Sequence, residues 1–373
     1  MEAQMPASTE PIIGFPREST AGDRRTLLTP EVAYVLADAG FRVLTEPGVG
    51  AGIFRSDAEL AAAGVRFAAP EKVWAAPLVL RYKSTNPGEL SRLRPGQSIG
   101  ALFHAEGDPA LLAAVAKRGI TAYSYEFLEE DGRFPLATPG GEIAGIQAIL
   151  YGAQALQTVH GGRGVLLAEV TGAAAPQVVV IGCGTVGSAA ARTAAALGAR
   201  VTILARSQDS ASRYLPDAPA GARVAVNTPE VRSGALAAAD LVVGAILVST
   251  FDTPAMIIEA DLRGMKTGAV IVDATCGYGD GYLPTAGPVQ QPGDAPRLAC
   301  GVLHVKLDTL PALVPVTTTA AYTTNAAPYL VRLACVAVSG ASDPAIETAR
   351  IAHDGRLVHP VCRQHAAFYG VPA

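Results

Sequence analysis

The residues best suited to chemistry stand in one short run. Gly182-Cys183-Gly184-Thr185-Val186-Gly187 has the spacing G-x-G-x-x-G. It follows four β-branched residues, Val178 to Ile181, and opens an Ala-rich stretch, Val186 to Leu197, before a second β-type run, Arg200 to Leu204. In a strand–turn–helix–strand setting each glycine has its own task. The first permits a tight turn, the second lets a pyrophosphate approach the backbone, and the third lets helix and strand pack closely. The helix N-terminus, starting at Thr185 and Val186, turns unpaired N–H groups toward the phosphates. A dinucleotide is the expected ligand.

The second strand of such a unit ordinarily ends on a carboxylate. That group accepts hydrogen bonds from the adenine ribose and repels a 2′-phosphate. Here the strand ends Leu204-Ala205-Arg206-Ser207. Ala205 does neither job, Arg206 supplies a forked cation suited to phosphate, and Ser207 adds a hydroxyl. The expected cofactor is therefore NADP(H). NAD stays possible if Arg206 merely points to solvent.

A site of this kind needs a frame, and 373 residues supply enough chain for two cores. Half the residues are hydrophobic and 17% are charged, as in folded globular chains. A net charge of −4 gives no electrostatic footprint for nucleic acid or an anionic membrane. The opening "MEAQMPASTEP" carries acids and no apolar core, so a loose tail is expected and not a signal peptide. Gly, Pro, Thr and Asn interrupt the uncharged stretches, which argues against a membrane span. The five cysteines form no CxxC or Cys/His cluster. No zinc or other metal site and no disulfide framework is expected, and a cytoplasmic location follows.

Strand-like and helix-like segments alternate along the chain. "PIIGFP", "FRVLTEPG", "LVLRYKS", "SIGALFH" (ending on His104) and "ITAYSYEFL" read as strands. Helices begin after Thr29-Pro30 and Asp108-Pro109, where a capping residue precedes proline. "GGEIAGIQAILYGAQALQTV" has helical spacing and suits a connector between domains. A second series starts at Val178, and "AAPYLVRLACVAVSG" reads as a late helix followed by a helical C-terminus. Such alternation predicts an α/β class with mainly parallel sheets.

The N-terminal half adds a further signal. "GFPRESTAGDRRTLLTP", "RYKS", "ALFH", "YEFLEEDGRFPLATPGGEIAG", "HGGRGVLLAEVTGAAAPQVVVIGCGTVG" and "VPVTTTAAYTTNAAPYLVRLA" follow one another along nearly the whole chain. In that order they resemble the alanine dehydrogenase and transhydrogenase α-subunit family. The resemblance implies a two-domain fold, with a Rossmann dinucleotide-binding domain, residues 137–312, inserted into a discontinuous α/β substrate domain, residues 1–136 and 313–373. It also implies a homo-oligomer, a hexamer or a dimer.

Three side chains carry over from the family pattern. Arg25 matches the arginine that binds the substrate carboxylate. Lys83 matches the lysine that contacts that carboxylate and the reacting carbonyl or imine, and His104 matches the general acid/base. Taken singly each has a plainer reading: Arg24 or Arg25 as a solvated charge, Lys83 as a snorkelling strand end, His104 as a core histidine. Further cofactor contacts are expected from Ile246, Leu247 and Leu310.

The departures point elsewhere than simple alanine metabolism. Gly277 stands where the family has an active-site aspartate, with Asp280 the nearest acid. Gly140-Gly141 replaces a Met-Ser pair, Thr309-Leu310 an Asn-Met pair, and Ser84 an acid. A lost anion should impair ammonia addition and imine hydrolysis more than hydride transfer. The expectation is an NADPH-preferring reductase of an α-imino or α-keto acid larger than pyruvate. Two alternatives stand beside it: a plain NAD-dependent L-alanine dehydrogenase, and a non-catalytic nucleotide-binding regulatory protein. Cyclodeaminase-like chemistry with a retained cofactor is a further option.

Overall fold

The computed structural model describes residues 10–84, 86–246, 255–274, 282–307 and 309–372. Leu247, Gly277 and Asp280 lie outside the described residues. The chain forms two compact units, one built from residues up to Pro139 and from Val314 onward, the other from Gly140–Leu313.

In the first unit the chain runs β1 (Ile12–Phe15), α1 (Pro30–Asp38), β2 (Arg42–Thr45), α2 (Asp57–Ala62), β3 (Arg66–Phe67), α3 (Pro70–Trp74), β4 (Leu78–Lys83), β5 (Ser98–Leu102), α4 (Pro109–Lys117) and β6 (Thr121–Ser124). The expected start signals are real caps. The Thr29 side chain accepts from the Val32 N–H and Asp108 from the Leu111 N–H, each with proline at the first helical position. A cap of this kind is worth about 1 kcal/mol.

α5 (Thr138–Ala155) leads into the second unit. There follow β7 (Gln177–Ile181), α6 (Thr185–Ala196), β8 (Arg200–Ala205), α7 (Gln208–Tyr214), β9 (Arg223–Val226), α8 (Pro229–Ala238), β10 (Leu241–Gly244), α9 (Glu259–Gly264), β11 (Val270–Asp273), β12 (Arg297–Ala299) and β13 (Val302–Lys306). The sheet order is β12-β13-β11-β10-β7-β8-β9. Without the antiparallel edge strand β12 this is the 3-2-1-4-5-6 order of a Rossmann sheet, which binds its ligand where the order reverses. Here that point lies between β7 and β10. Val178, Val180, Val243, Val270 and Val272 are buried, as strands covered on both faces by helices require.

The chain then returns through α10 (Pro315–Ser339), α11 (Pro344–Thr348), β14 (Arg350–His353), β15 (Arg356–Leu357) and α12 (Pro360–Tyr369). It completes a first-unit sheet ordered β15-β14-β6-β5-β4-β1-β2-β3. Two expectations fail here. The late helix starts well before "AAPYL", because the Thr323 and Thr324 hydroxyls donate to the carbonyls of Thr319 and Ala320 (both 2.8 Å) and Asn325 to Ala321, so the polar stretch satisfies itself within the helix. The C-terminal segment is not all helical: β14 adds antiparallel to β6. No helix among the described residues is long and apolar enough to cross a membrane.

Candidate active site

The glycine turn follows β7 as the spacing requires, and its three glycines divide the work. Gly182 has φ +109, and a Cβ there would overlap the carbonyl oxygen of Ala245 past the end of β10. Gly187 sits inside α6, where a Cβ would overlap the Gly182 carbonyl oxygen. Gly184 caps α6, has an ordinary φ of −80, and has no protein atom within 4 Å of the place a Cβ would take. Two glycines therefore serve packing, and the middle one leaves open space beside a helix N-terminus. Gly187→Ala is expected to cost about 1–3 kcal/mol, since backbone must move. Gly184→Ala should leave the melting temperature unchanged, and equal loss in the two variants would refute this division.

At the end of β8, Ala205 is fully buried and Arg206 is exposed. The Ser207 hydroxyl caps α7, accepting from the Ser210 N–H (3.2 Å) and lying 3.1 Å from the Ser210 hydroxyl. Arg206 also lies within electrostatic reach of Cys183, whose thiol burial pushes up. Ile246 lies beside Gly182, its Cγ2 3.4 Å from the Cβ position. Leu310 begins the short 3-10 turn Leu310–Leu313. It is 1% exposed and packed in the core of the second unit, so it presents almost no surface to a ligand. Thr185 and Val186 begin α6, with the Thr185 methyl 3.2 Å from where a Gly141 Cβ would lie.

In the first unit the expected cations gather at the carboxyl ends of adjacent parallel strands. Arg25 lies on the loop after β1 and is 5% exposed, whereas Arg24 is exposed and rests over the Phe54 ring. The Arg25 guanidinium is clamped on two sides. Its Nε and Nη2 donate to the two oxygens of Asp23, with Nε–Oδ1 at 2.9 Å. Its carbon stands 4.4 Å from the Tyr82 ring centroid, with Nη1 3.5 Å from the Tyr82 hydroxyl. Tyr82 is backed in turn by Tyr322, centroid to centroid 4.6 Å. One N–H on each terminal nitrogen of Arg25 is left without a partner among the described residues, a pair suited to two carboxylate oxygens.

Burial would raise the Asp23 carboxyl, but the Arg25 hydrogen bonds and charge, helped by Lys83, hold it below its usual value. Lys83 ends β4, half-buried, and its backbone N–H donates to Glu18 Oε2 (3.3 Å). Glu18 also accepts from the Tyr82 N–H (2.7 Å) and pairs with the fully buried Arg81. Burial pushes the Glu18 carboxyl up against those partners.

His104 lies two residues past β5, not inside it. Its φ of 47 and ψ of 37 are left-handed, an uncommon state for a side-chain-bearing residue. The Glu126 carboxylate holds it there, accepting from the His104 N–H (2.5 Å) and the Phe103 N–H (3.3 Å). The ring is 43% exposed, with Nδ1 3.8 Å from Glu126 Oε1 and 3.9 Å from Glu106 Oε1. Asp23, Tyr82, Glu106 and Glu126 are site residues that sequence reading missed. Tyr82 is adjacent to Lys83, and Asp23 and Glu106 each lie two residues from an expected group, so these three carried a local signal and Glu126 did not.

Comparison with known proteins identifies relatives along nearly the whole chain. Residues 148–360 match the family described as alanine dehydrogenase/PNT, C-terminal domain, and residues 14–144 its N-terminal domain. The chain is 34% identical over 324 residues to "Alanine dehydrogenase" of Bacillus subtilis (strain 168), covering 87% of this chain and 85% of that one. It is 34% identical over 355 residues to "Alanine dehydrogenase" of Mycobacterium tuberculosis (strain CDC 1551 / Oshkosh), covering 93% and 94%. A solved structure titled "L-alanine dehydrogenase" superposes with a TM-score of 0.87 at 30% identity, covering 97% of this chain and all of that one.

Proposed function

The chain belongs to the alanine dehydrogenase/PNT family, and from that premise we propose that it interconverts L-alanine and pyruvate with a nicotinamide dinucleotide. It is an oxidoreductase of the alanine dehydrogenase type. In the oxidative direction L-alanine, water and the oxidised dinucleotide give pyruvate, ammonium, the reduced dinucleotide and a proton. The observation that carries the reading is the Arg25 clamp, which offers two parallel N–H groups from a cation fixed by Asp23 and Tyr82.

The residues present fit such a cofactor. The open side of Gly184 and the N-terminus of α6 would hold the pyrophosphate. When bound, the dinucleotide supplies the hydride acceptor. Arg25 binds the substrate carboxylate end-on, and Lys83 adds a second cation beside it. His104 takes a proton from the substrate nitrogen as the hydride leaves Cα and the imine forms, and a proton from the oxygen of the water that then adds to that imine; in the reverse direction it returns them. Purified protein with L-alanine and NAD or NADP should generate the reduced cofactor's absorbance. No turnover with either would overturn the proposal.

A second reading concerns the coenzyme. The exposed Arg206 and the missing carboxylate at the end of β8 favour NADP(H). On this reading Arg206→Ala raises the KM for NADP by about 10- to 100-fold, the worth of a hydrogen bond to a charged group, and leaves that for NAD nearly unchanged. Equal effects on both coenzymes would return the preference to NAD. The expectation of a bulkier imino or keto acid rests on one observation, the open space beside Gly140. A screen of longer 2-keto acids with ammonia tests it, and pyruvate outperforming all of them would dismiss it. The homo-oligomer stays part of the proposal, to be read by light scattering.

A further inference from the structure

We propose that Glu106 is the positioning carboxylate that fixes the tautomer and orientation of the His104 imidazole. The inference rests on the reading of His104 as the group that moves the substrate proton. An imidazole can exchange a proton with substrate through one nitrogen only if the other is held in a defined state. In this chain two carboxylates approach the same nitrogen, Nδ1, at 3.8 Å from Glu126 and 3.9 Å from Glu106. Acceptors on that side keep the proton on Nδ1 and leave Nε2 for the substrate.

The two acids do different work. Both Glu126 oxygens accept from backbone N–H groups, of Phe103 and His104, so that carboxylate fixes the left-handed backbone. Glu106 sits in the short 3-10 turn Ala105–Gly107 and is the acid that answers to the ring. Its own position is set from α12, where His365 Nδ1 donates to the Glu106 carbonyl oxygen (2.6 Å). The other titratable groups facing it are His359, stacked on Phe127 at 4.1 Å, and the buried Cys362. Burial would push the Glu106 carboxyl up, yet the contact with His104 outweighs it and holds the group below its usual value, as an anion. The Nδ1–Oε1 separation of 3.9 Å is longer than an ideal hydrogen bond. Catalytic contacts are often long without substrate.

The test is a double-variant cycle on the full-length protein with L-alanine and its preferred coenzyme. Glu106→Gln should lower kcat at least about tenfold with KM within about twofold, and Glu106→Asp should recover part of the loss. Combined with His104→Asn, Glu106→Gln should cost nothing further. Unchanged kcat in Glu106→Gln, or an equal added loss in the His104→Asn background, overturns the proposal. His104→Asn itself retaining full activity would instead bring down the reading beneath it. Melting curves of each variant separate a folding defect from a positioning effect. His104, Glu106 and Glu126 also bring ligand-type atoms within 4.8 Å of one another. Activity lost to EDTA and restored by a divalent metal would assign the trio to a cation, and so also overturn the proposal.

Discussion

His104→Asn is expected to lower kcat for L-alanine oxidation by about 10²- to 10⁴-fold, the range of a lost general acid/base. Asparagine is the informative replacement. The backbone at this position is left-handed, with φ 47, and asparagine tolerates that state where alanine would add strain. It also keeps the N–H that donates to Glu126. The ring is 43% exposed, so little packing is lost and the melting temperature should stay within about 2 °C. Steady-state kinetics beside thermal melts decide the matter. A variant that retains more than about a third of the wild-type kcat removes His104 from the reaction.

The second large effect is at Arg25, where two replacements separate fold from function. Arg25→Ala strands the Asp23 carboxylate, whose side chain is 3% exposed, without its cation. Removing one member of a buried pair costs about 3–5 kcal/mol. The cost depends on pH in a definite direction. In the native protein Arg25 holds Asp23 below its ordinary value of 3.8, so the pair's contribution is complete above that pH and is lost as pH falls through the lowered value. Without Arg25, burial pushes the carboxyl up and the group protonates sooner. The stability gap should therefore be full near neutral pH and narrow as pH falls toward and through 3.8. Urea titrations at several pH values measure it, and a pH-independent gap would contradict the pairing. Arg25→Lys keeps a charge but not the fork, and should raise the KM for L-alanine by about 10- to 100-fold. An unchanged KM would mean that the substrate carboxylate binds elsewhere.

These groups differ in how far the sequence betrays them. The glycine turn is legible because it rests on backbone geometry, and Gly182 and Gly187 are places where any side chain would collide with a carbonyl. The parallel α/β class is legible from the alternating pattern, whereas the strand order is read from the structure. Arg24 and Arg25 are chemically identical, and only tertiary burial separates the exposed one from the clamped one. Glu126 reaches His104 because β5 and β6 pair in parallel with Ala101 beside Ser124, a long-range register that no local pattern records. The burial of Leu310 was not legible, because its place in a family motif says nothing of which way the side chain packs. The length of α10 was hidden for a different reason. Thr and Asn read as breakers, and their return hydrogen bonds to the preceding turn are a property of the formed helix.

The closing segment of the first sheet has a consequence for synthesis. While the ribosome works, Gly140–Leu313 emerges before β14, β15 and α12 exist. The nucleotide-type unit has all of its strands at that moment, whereas the turn bearing Glu106 still waits for the His365 that will anchor it. A nascent chain can thus complete the strands of its inserted half before α12 is made, and the turn bearing Glu106 gains its His365 contact only afterwards.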